Sequence, residues 1–133
     1  MNKLDKDSVI GISALLVHAA KIDEIYSNQE KDLIKNFIKS YLQNEKIDEI
    51  LSEAEEIENN SNQLLNYTNI IKENSMEIKK DILEHLWKII ISDKSVDQYE
   101  SNLMRRICGL IYFPDKECAE IKLRLLNSKW LIL

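Results

Sequence analysis

Apolar residues recur every three or four positions along most of this 133-residue chain, as expected when they share one face of an α-helix. The clearest series are Val9, Ile12, Leu15, Leu16, Ala19 and Ala20, then Leu33, Ile34, Phe37, Ile38, Tyr41 and Leu42, and later Ile78, Ile82, Leu83, Leu86, Trp87, Ile90 and Ile91. The chain has only two Gly and one Pro, the residues that disfavour helices most. The pattern predicts an all-α fold with about seven helices.

Polar segments separate the helices and provide residues that can cap them. Ser27 and Glu30 have the spacing of a capping box, in which each side chain bonds the other residue's backbone amide, and Asp97 and Glu100 repeat that spacing. The other expected cap and boundary residues are Asp7 or Ser8 for the first helix, Asn44 for the third, and Asp115, directly after Pro114, for the seventh.

The chain contains an internal repeat with an interval of 70 residues. Asp23 and Glu30 recur at this interval as Asp93 and Glu100. The same interval aligns the flanking apolar positions, namely Ile12 with Ile82, Leu16 with Leu86, Leu33 with Leu103, Ile34 with Met104, Phe37 with Ile107, Ile38 with Cys108 and Tyr41 with Ile111. We therefore predict two pseudo-symmetric helix–acidic turn–helix units joined by two connecting helices.

The length suits one domain with one core. We place the parts of this single domain, 1–133, as follows: the first unit at about 8–43, the connecting helices at about 44–74, the second unit at about 75–113, and a C-terminal helix and tail at 115–133. The tail ends in an apolar run that begins at Trp130. Because exposed apolar surface favours association, we expect this run to dock on the body of the protein or on a second copy of the chain.

The net charge of the chain disfavours nucleic acid as a partner. A net charge of −5 counts against nucleic-acid binding, which favours a basic face, and the acidic surplus is concentrated between Glu45 and Glu58. The N-terminus resembles no signal peptide, and the apolar runs are shorter than the ~20 residues that span a bilayer. We therefore expect a cytoplasmic protein without a transmembrane segment.

The two cysteines, Cys108 and Cys118, have neither CxxC spacing nor another metal-ligand spacing, and they offer no evident pair of thiols for redox chemistry. Both lie in amphipathic segments, where Cys behaves as a small apolar residue. Two buried, reduced thiols are the preferred interpretation in a reducing compartment, and a disulfide is the alternative.

Two segments carry a resemblance to a known family. They are Ala14 to Ala20 (ALLVHAA) followed by Asp23 and Glu30, and Leu86 to Asp93 (LWKIIISD) followed by Val96 and Glu100. They resemble the two signatures of TerB-like domains, which occur in the tellurite-resistance TerB family and in N-terminal regions of membrane-anchored DnaJ-type co-chaperones. The resemblance covers nearly the whole chain, with Glu24 and Lys94 at positions where the family pattern has Gly.

The resemblance implies a seven-helix fold, a stress-associated cytoplasmic role and an acidic metal-binding surface. The candidate metal ligands are Asp23, Glu30, Asp93 and Glu100, whose carboxylates suit Ca²⁺ or Mg²⁺ if the two turns lie close together. The alternative is structural. Glu30 and Glu100 stand where they can cap helices and favour the helix dipole, and Asp23 and Asp93 stand where helices end.

No catalytic motif is recognisable around His18 or His85, the only histidines. We therefore predict a non-enzymatic interaction or sensing module with a protein partner, for which Ca²⁺ or Mg²⁺ is the candidate cofactor. The alternative is a helical scaffold that forms homo-oligomers through the tail from Trp130, in which the same carboxylates only cap helices.

Overall fold

The computed structural model describes residues 4–22, 26–43, 46–61, 63–92 and 98–127, with the backbone alone at 98–100. Seven helices occupy these ranges: α1 (Lys6–Ala20), α2 (Asn28–Tyr41), α3 (Ile47–Asn60), α4 (Leu64–Lys72), α5 (Met76–Ile91), α6 (Gln98–Leu110) and α7 (Asp115–Leu126). No residue in these ranges is in a β-strand. The predicted all-α fold with seven helices is confirmed.

Helix α1 lies at the centre of the packing. Eleven of its 15 residues are buried, because apolar and small side chains cover almost its whole circumference. It contacts α2, α3, α4 and α5, whereas α7 packs on α5 and α6, and α4 also contacts α6. We call α1 with α2 the first hairpin and α5 with α6 the second hairpin. Helix α2 and the acidic helix α3 are therefore both held against α1.

The buried apolar side chains form one cluster, to which all seven helices contribute. Five of the seven apolar pairs that the 70-residue interval aligns are buried in both members, whereas Leu33 and Tyr41 are only partly buried and their partners Leu103 and Ile111 are buried. Ile12 and Ile82 have no exposed surface, and neither do Phe37 and Ile107. The repeat in the sequence thus corresponds to matched core positions.

Two of the predicted caps are wrong, and one is confirmed. The α1 cap is Asp5, whose carboxylate accepts the Ser8 amide at 2.8 Å, rather than Asp7 or Ser8, so the helix starts earlier than expected. For α7 the cap position is Pro114, and Asp115 is already the first helical residue. Its carboxylate there faces the positive end of the helix dipole instead of bonding an amide as a cap.

The Ser27–Glu30 capping box is present at the start of α2, as predicted. Asn44, the predicted start of the third helix, lies outside the described residues, as does the apolar tail from Trp130. In the described ranges, no helix combines the length and apolar character that crossing a membrane requires.

Candidate functional site

Of the four predicted metal ligands, Glu30 is the one whose side chain the structure describes. Glu30 is 5% exposed, and its Oε1 accepts the Ser27 amide at 2.8 Å, while the Glu30 amide donates to Ser27 Oγ at 3.1 Å. Asp23 and Asp93 lie outside the described residues, and so does the Glu100 side chain. Within the described part of the chain, no three His, Cys, Asp or Glu side chains are grouped closely enough to hold a metal ion. The capping role of Glu30 is confirmed, and metal binding stays a prediction.

A buried carboxylate lies where the end of α1 meets the end of α3. Glu58 is 8% exposed, its Oε1 accepts Lys21 Nζ at 2.8 Å, and its Oε2 lies 3.3 Å from His18 Nδ1. Lys21 also donates to the Asn59 side-chain oxygen at 3.0 Å. A carboxylate this deeply buried requires such partners, because removing its charge from water without them is very costly. The cluster therefore fastens α3 to α1.

Tyr26, which precedes α2, makes a second polar contact with α3. Its hydroxyl donates to Glu55 Oε2 at 2.6 Å, and Lys31 Nζ lies 4.9 Å from the centre of its ring. Burial raises the pKa of Tyr26 well above its usual value, and the bond to Glu55 and the nearby charges of Glu30 and Glu58 act in the same direction. The phenol consequently remains a neutral donor.

Helix α3 presents a row of acidic residues to solvent. Glu49, Glu53 and Glu56 follow at intervals of four and three, share one side of the helix and are all exposed; we call them the acidic stripe. Glu49 is 3.8 Å from Lys46, and neither Glu53 nor Glu56 has an ion-pair partner among the described residues. Helix α3 contains no Lys or Arg, so every charged side chain of the helix itself is acidic.

The two histidines are packed into the structure. His85 Nδ1 bonds the Asp81 backbone oxygen at 2.8 Å, and its ring meets the Phe37 ring edge-on with centroids 5.2 Å apart. His18 is held by Glu58. Both rings are thus held by contacts within the fold.

The structure connects two residues that the sequence did not. Trp87 Nε1 in α5 donates to Cys118 Sγ in α7 at 3.3 Å. Cys108 in α6 and Cys118 are free, buried thiols, as predicted. Trp87 and Cys118 are 31 positions apart, so no local spacing could have predicted their contact.

Comparison with known proteins identifies one family. The family model described as "Tellurite resistance protein TerB" matches residues 10–123, which is nearly the whole chain. Among curated proteins and among solved structures, no match was found.

Proposed function

Since this chain belongs to the TerB family, we propose that it is a non-catalytic binding module whose acidic stripe on α3 holds a positively charged segment of a protein partner. The observation that carries the proposal is the stripe itself. Its three exposed carboxylates lie on one side of a helix that contains no basic residue.

The acidic stripe lowers the stability of the helix that carries it. Glu49 and Glu53, and then Glu53 and Glu56, are like-charged neighbours, and each such pair disfavours a helix by about 0.2–0.5 kcal/mol. Glu49 lies in the first turn of α3, where a negative charge favours the helix dipole, so the cost arises from the like-charge pairs alone. A charge pattern that works against its own helix supports a role in binding.

The position of α3 suits a fixed binding surface. On its inner side, Ile50, Leu51 and Ala54 are buried against the core, and Glu58 is tied to α1. Ile57 is 40% exposed beside the stripe and offers an apolar contact next to the charges. Such a surface combines electrostatic attraction with a small apolar area, a combination common at protein interfaces.

We place this activity in the cytoplasm and in a stress response. Two free, buried thiols suit a reducing compartment, and the family description names resistance to a toxic oxyanion.

Calorimetric titration with a short oligolysine peptide, a probe for a basic protein segment, tests the binding proposal. The double variant Glu53→Gln/Glu56→Gln should weaken the association about tenfold, because it removes two adjacent charges from the stripe. The same change should raise the free energy of unfolding by about 0.4–1 kcal/mol, because both like-charge pairs include Glu53 and are removed together.

The matched control is Glu117→Gln/Glu120→Gln on α7, which removes two exposed charges at the same spacing. It should weaken peptide binding only slightly. If both double variants weaken binding equally, the peptide is attracted by the overall negative charge of the protein, and the proposed role of the stripe is wrong.

A divalent cation at Asp23, Glu30, Asp93 and Glu100 is a second proposal, supported by the repetition of the Asp and Glu pair at an interval of 70 residues. The competing hypothesis is a scaffold in which these carboxylates only cap helices, and the capping box of Glu30 supports it. In that hypothesis the tail from Trp130 makes a contact between copies of the chain.

Glu30→Gln separates the two hypotheses, because Gln also completes a capping box but does not supply a carboxylate to a cation. Because Gln can still accept the Ser27 amide and only the favourable effect of the charge on the helix dipole is lost, the variant should lose no more than about 1 kcal/mol. If the cation proposal holds, Ca²⁺ titration of the wild type releases or absorbs heat, and Glu30→Gln weakens that binding. An absence of heat with millimolar Ca²⁺ or Mg²⁺ in the wild type would leave capping as the role of Glu30.

A further inference from the structure

A groove between α4 and α6 combines apolar and basic side chains. Its volume is about 550 Å³, and the residues that line it include Leu65 on α4 and Arg105, Arg106, Gly109 and Leu110 on α6; we call it the α4–α6 groove. None of its described lining residues is acidic. The groove is therefore positively charged, although the chain as a whole has a net charge of −5.

The two arginines of the groove are available to a partner. Both are exposed, and neither guanidinium forms an ion pair or a hydrogen bond with another described residue. A guanidinium presents a planar fork of N–H donors that matches a carboxylate. Arg105 and Arg106 have no such match, although the chain contains 23 Asp and Glu residues that could have supplied one. The groove thus offers two unused groups that can bind carboxylates.

The helices that form the groove are depleted of acidic residues. Helix α4 contains Lys72 but no Asp or Glu, and positions 101–110 of α6 contain the two arginines but no Asp or Glu. At physiological ionic strength, exposed charges more than about 8 Å apart are largely screened from each other. The arginines therefore act on a carboxylate in the groove more strongly than acidic residues on distant parts of the surface do.

The groove also offers an apolar surface that a partner can approach closely. Leu65 is 53% exposed, and Leu110 is only partly buried. Gly109 has no positive φ, and a Cβ at this position would contact no neighbouring part of the fold within 4 Å. Neither the backbone conformation nor the packing therefore requires glycine here, although glycine disfavours a helix relative to alanine. The missing side chain leaves room for a partner directly against α6.

We propose that the α4–α6 groove binds an acidic segment of a protein partner that carries apolar side chains between its carboxylates. The apolar side chains pack on Leu65 and Leu110 over Gly109, and two carboxylates accept hydrogen bonds from the arginines. Amphipathic segments dock in this way, with apolar side chains in a groove. A nucleic acid fits less well, because the groove supplies two arginines rather than the row of cations that follows a phosphate backbone.

The α4–α6 groove shares no residue with the acidic stripe on α3, so the two proposed surfaces are independent. They attract segments of opposite charge. The Glu53→Gln/Glu56→Gln variant, which should weaken the binding of oligolysine, should therefore bind an acidic peptide at least as tightly as the wild type does.

Fluorescence anisotropy with a short labelled peptide of Leu and Glu tests the proposal on the full chain. The matched peptide has Gln in place of each Glu. The wild type should bind the Leu/Glu peptide about tenfold more tightly than the Leu/Gln peptide, because only the first supplies carboxylates to the arginines. Equal affinities for the two peptides, or no binding of the Leu/Glu peptide, would overturn the proposal.

Two double variants test the role of the arginines. Arg105→Gln/Arg106→Gln should weaken binding of the Leu/Glu peptide about tenfold. The control is Lys39→Gln/Lys80→Gln, which removes two exposed cations that do not line the groove and should weaken binding only slightly. Equal weakening by the two double variants would assign the attraction to the overall charge and contradict the proposal.

Gly109→Leu fills the groove without removing a charge. Because the site is open and leucine favours a helix over glycine, the variant should unfold at no lower urea concentration than the wild type. It should bind the Leu/Glu peptide several-fold more weakly. Binding equal to that of the wild type would exclude the groove as the site. Binding that weakens as dimers form with rising protein concentration would identify a second copy of the chain as the occupant and overturn the proposal.

Discussion

Replacing Phe37 with alanine should lower the free energy of unfolding by about 3–5 kcal/mol, the usual loss for a fully buried aromatic side chain. Phe37 has no exposed surface, and its ring lies between those of Tyr41 and His85, each with a centroid separation of 5.2 Å. Because His85 belongs to α5, the substitution opens a cavity where the first hairpin meets the second repeat unit. A loss of this size is a large fraction of the 5–15 kcal/mol that stabilises a typical domain.

Urea unfolding followed by circular dichroism measures this loss. Two further variants test whether the loss comes from the cavity left by the buried ring. Phe37→Leu retains most of the apolar volume and should lose less than about 1.5 kcal/mol. Leu123→Ala removes a side chain that is 56% exposed and should stay within about 0.5 kcal/mol of the wild type. If Phe37→Ala were as stable as Leu123→Ala, the packing of α2 against α5 described here would be incorrect.

Lys21→Met should lower the free energy of unfolding by about 2 kcal/mol, within the range for a lost hydrogen bond to a charged group. The substitution leaves the Glu58 carboxylate, whose side chain is only 10% exposed, with the His18 ring nitrogen as its remaining partner. Burying a charge without adequate compensation is unfavourable, so the loss arises mainly from the carboxylate that stays behind. Chemical unfolding at neutral pH provides the measurement.

The matched control for this variant is Lys35→Met. Both lysine side chains are 33% exposed and both pair with a carboxylate on α3, but the partner of Lys35 is Asp48, which is 86% exposed. An exposed pair contributes little, because water solvates the carboxylate when its partner is removed. Lys35→Met should therefore leave stability nearly unchanged, and equal losses in the two variants would show that burial of Glu58 is not the cause.

Local patterns in the sequence predicted the helices and part of their boundaries. The capping box of Ser27 and Glu30 was predictable because it depends only on residues three positions apart. The choice of Asp5 over Asp7 or Ser8 was not, because several neighbouring side chains can cap a helix and the path of the entering chain selects one of them.

The features that suggest function depended more on tertiary structure. Glu58 follows Leu51 and Ala54 by seven and four positions, so helical periodicity could have placed it on the buried side of α3. Its partner Lys21 lies on another helix end, however, and such contacts do not follow from local spacing. The bond from Trp87 Nε1 to Cys118 Sγ likewise joins two helices, at residues 31 positions apart.

The most direct test of the central claim is a map of amide chemical-shift changes in the ¹⁵N-labelled protein during titration with the oligolysine peptide. We predict that the largest changes occur at Glu49, Glu53, Glu56 and their neighbours on the outer side of α3, and that added salt reverses them because the attraction is electrostatic. Changes that are largest on α7, or that are spread evenly over the acidic surface, would contradict the assignment of the binding site to α3.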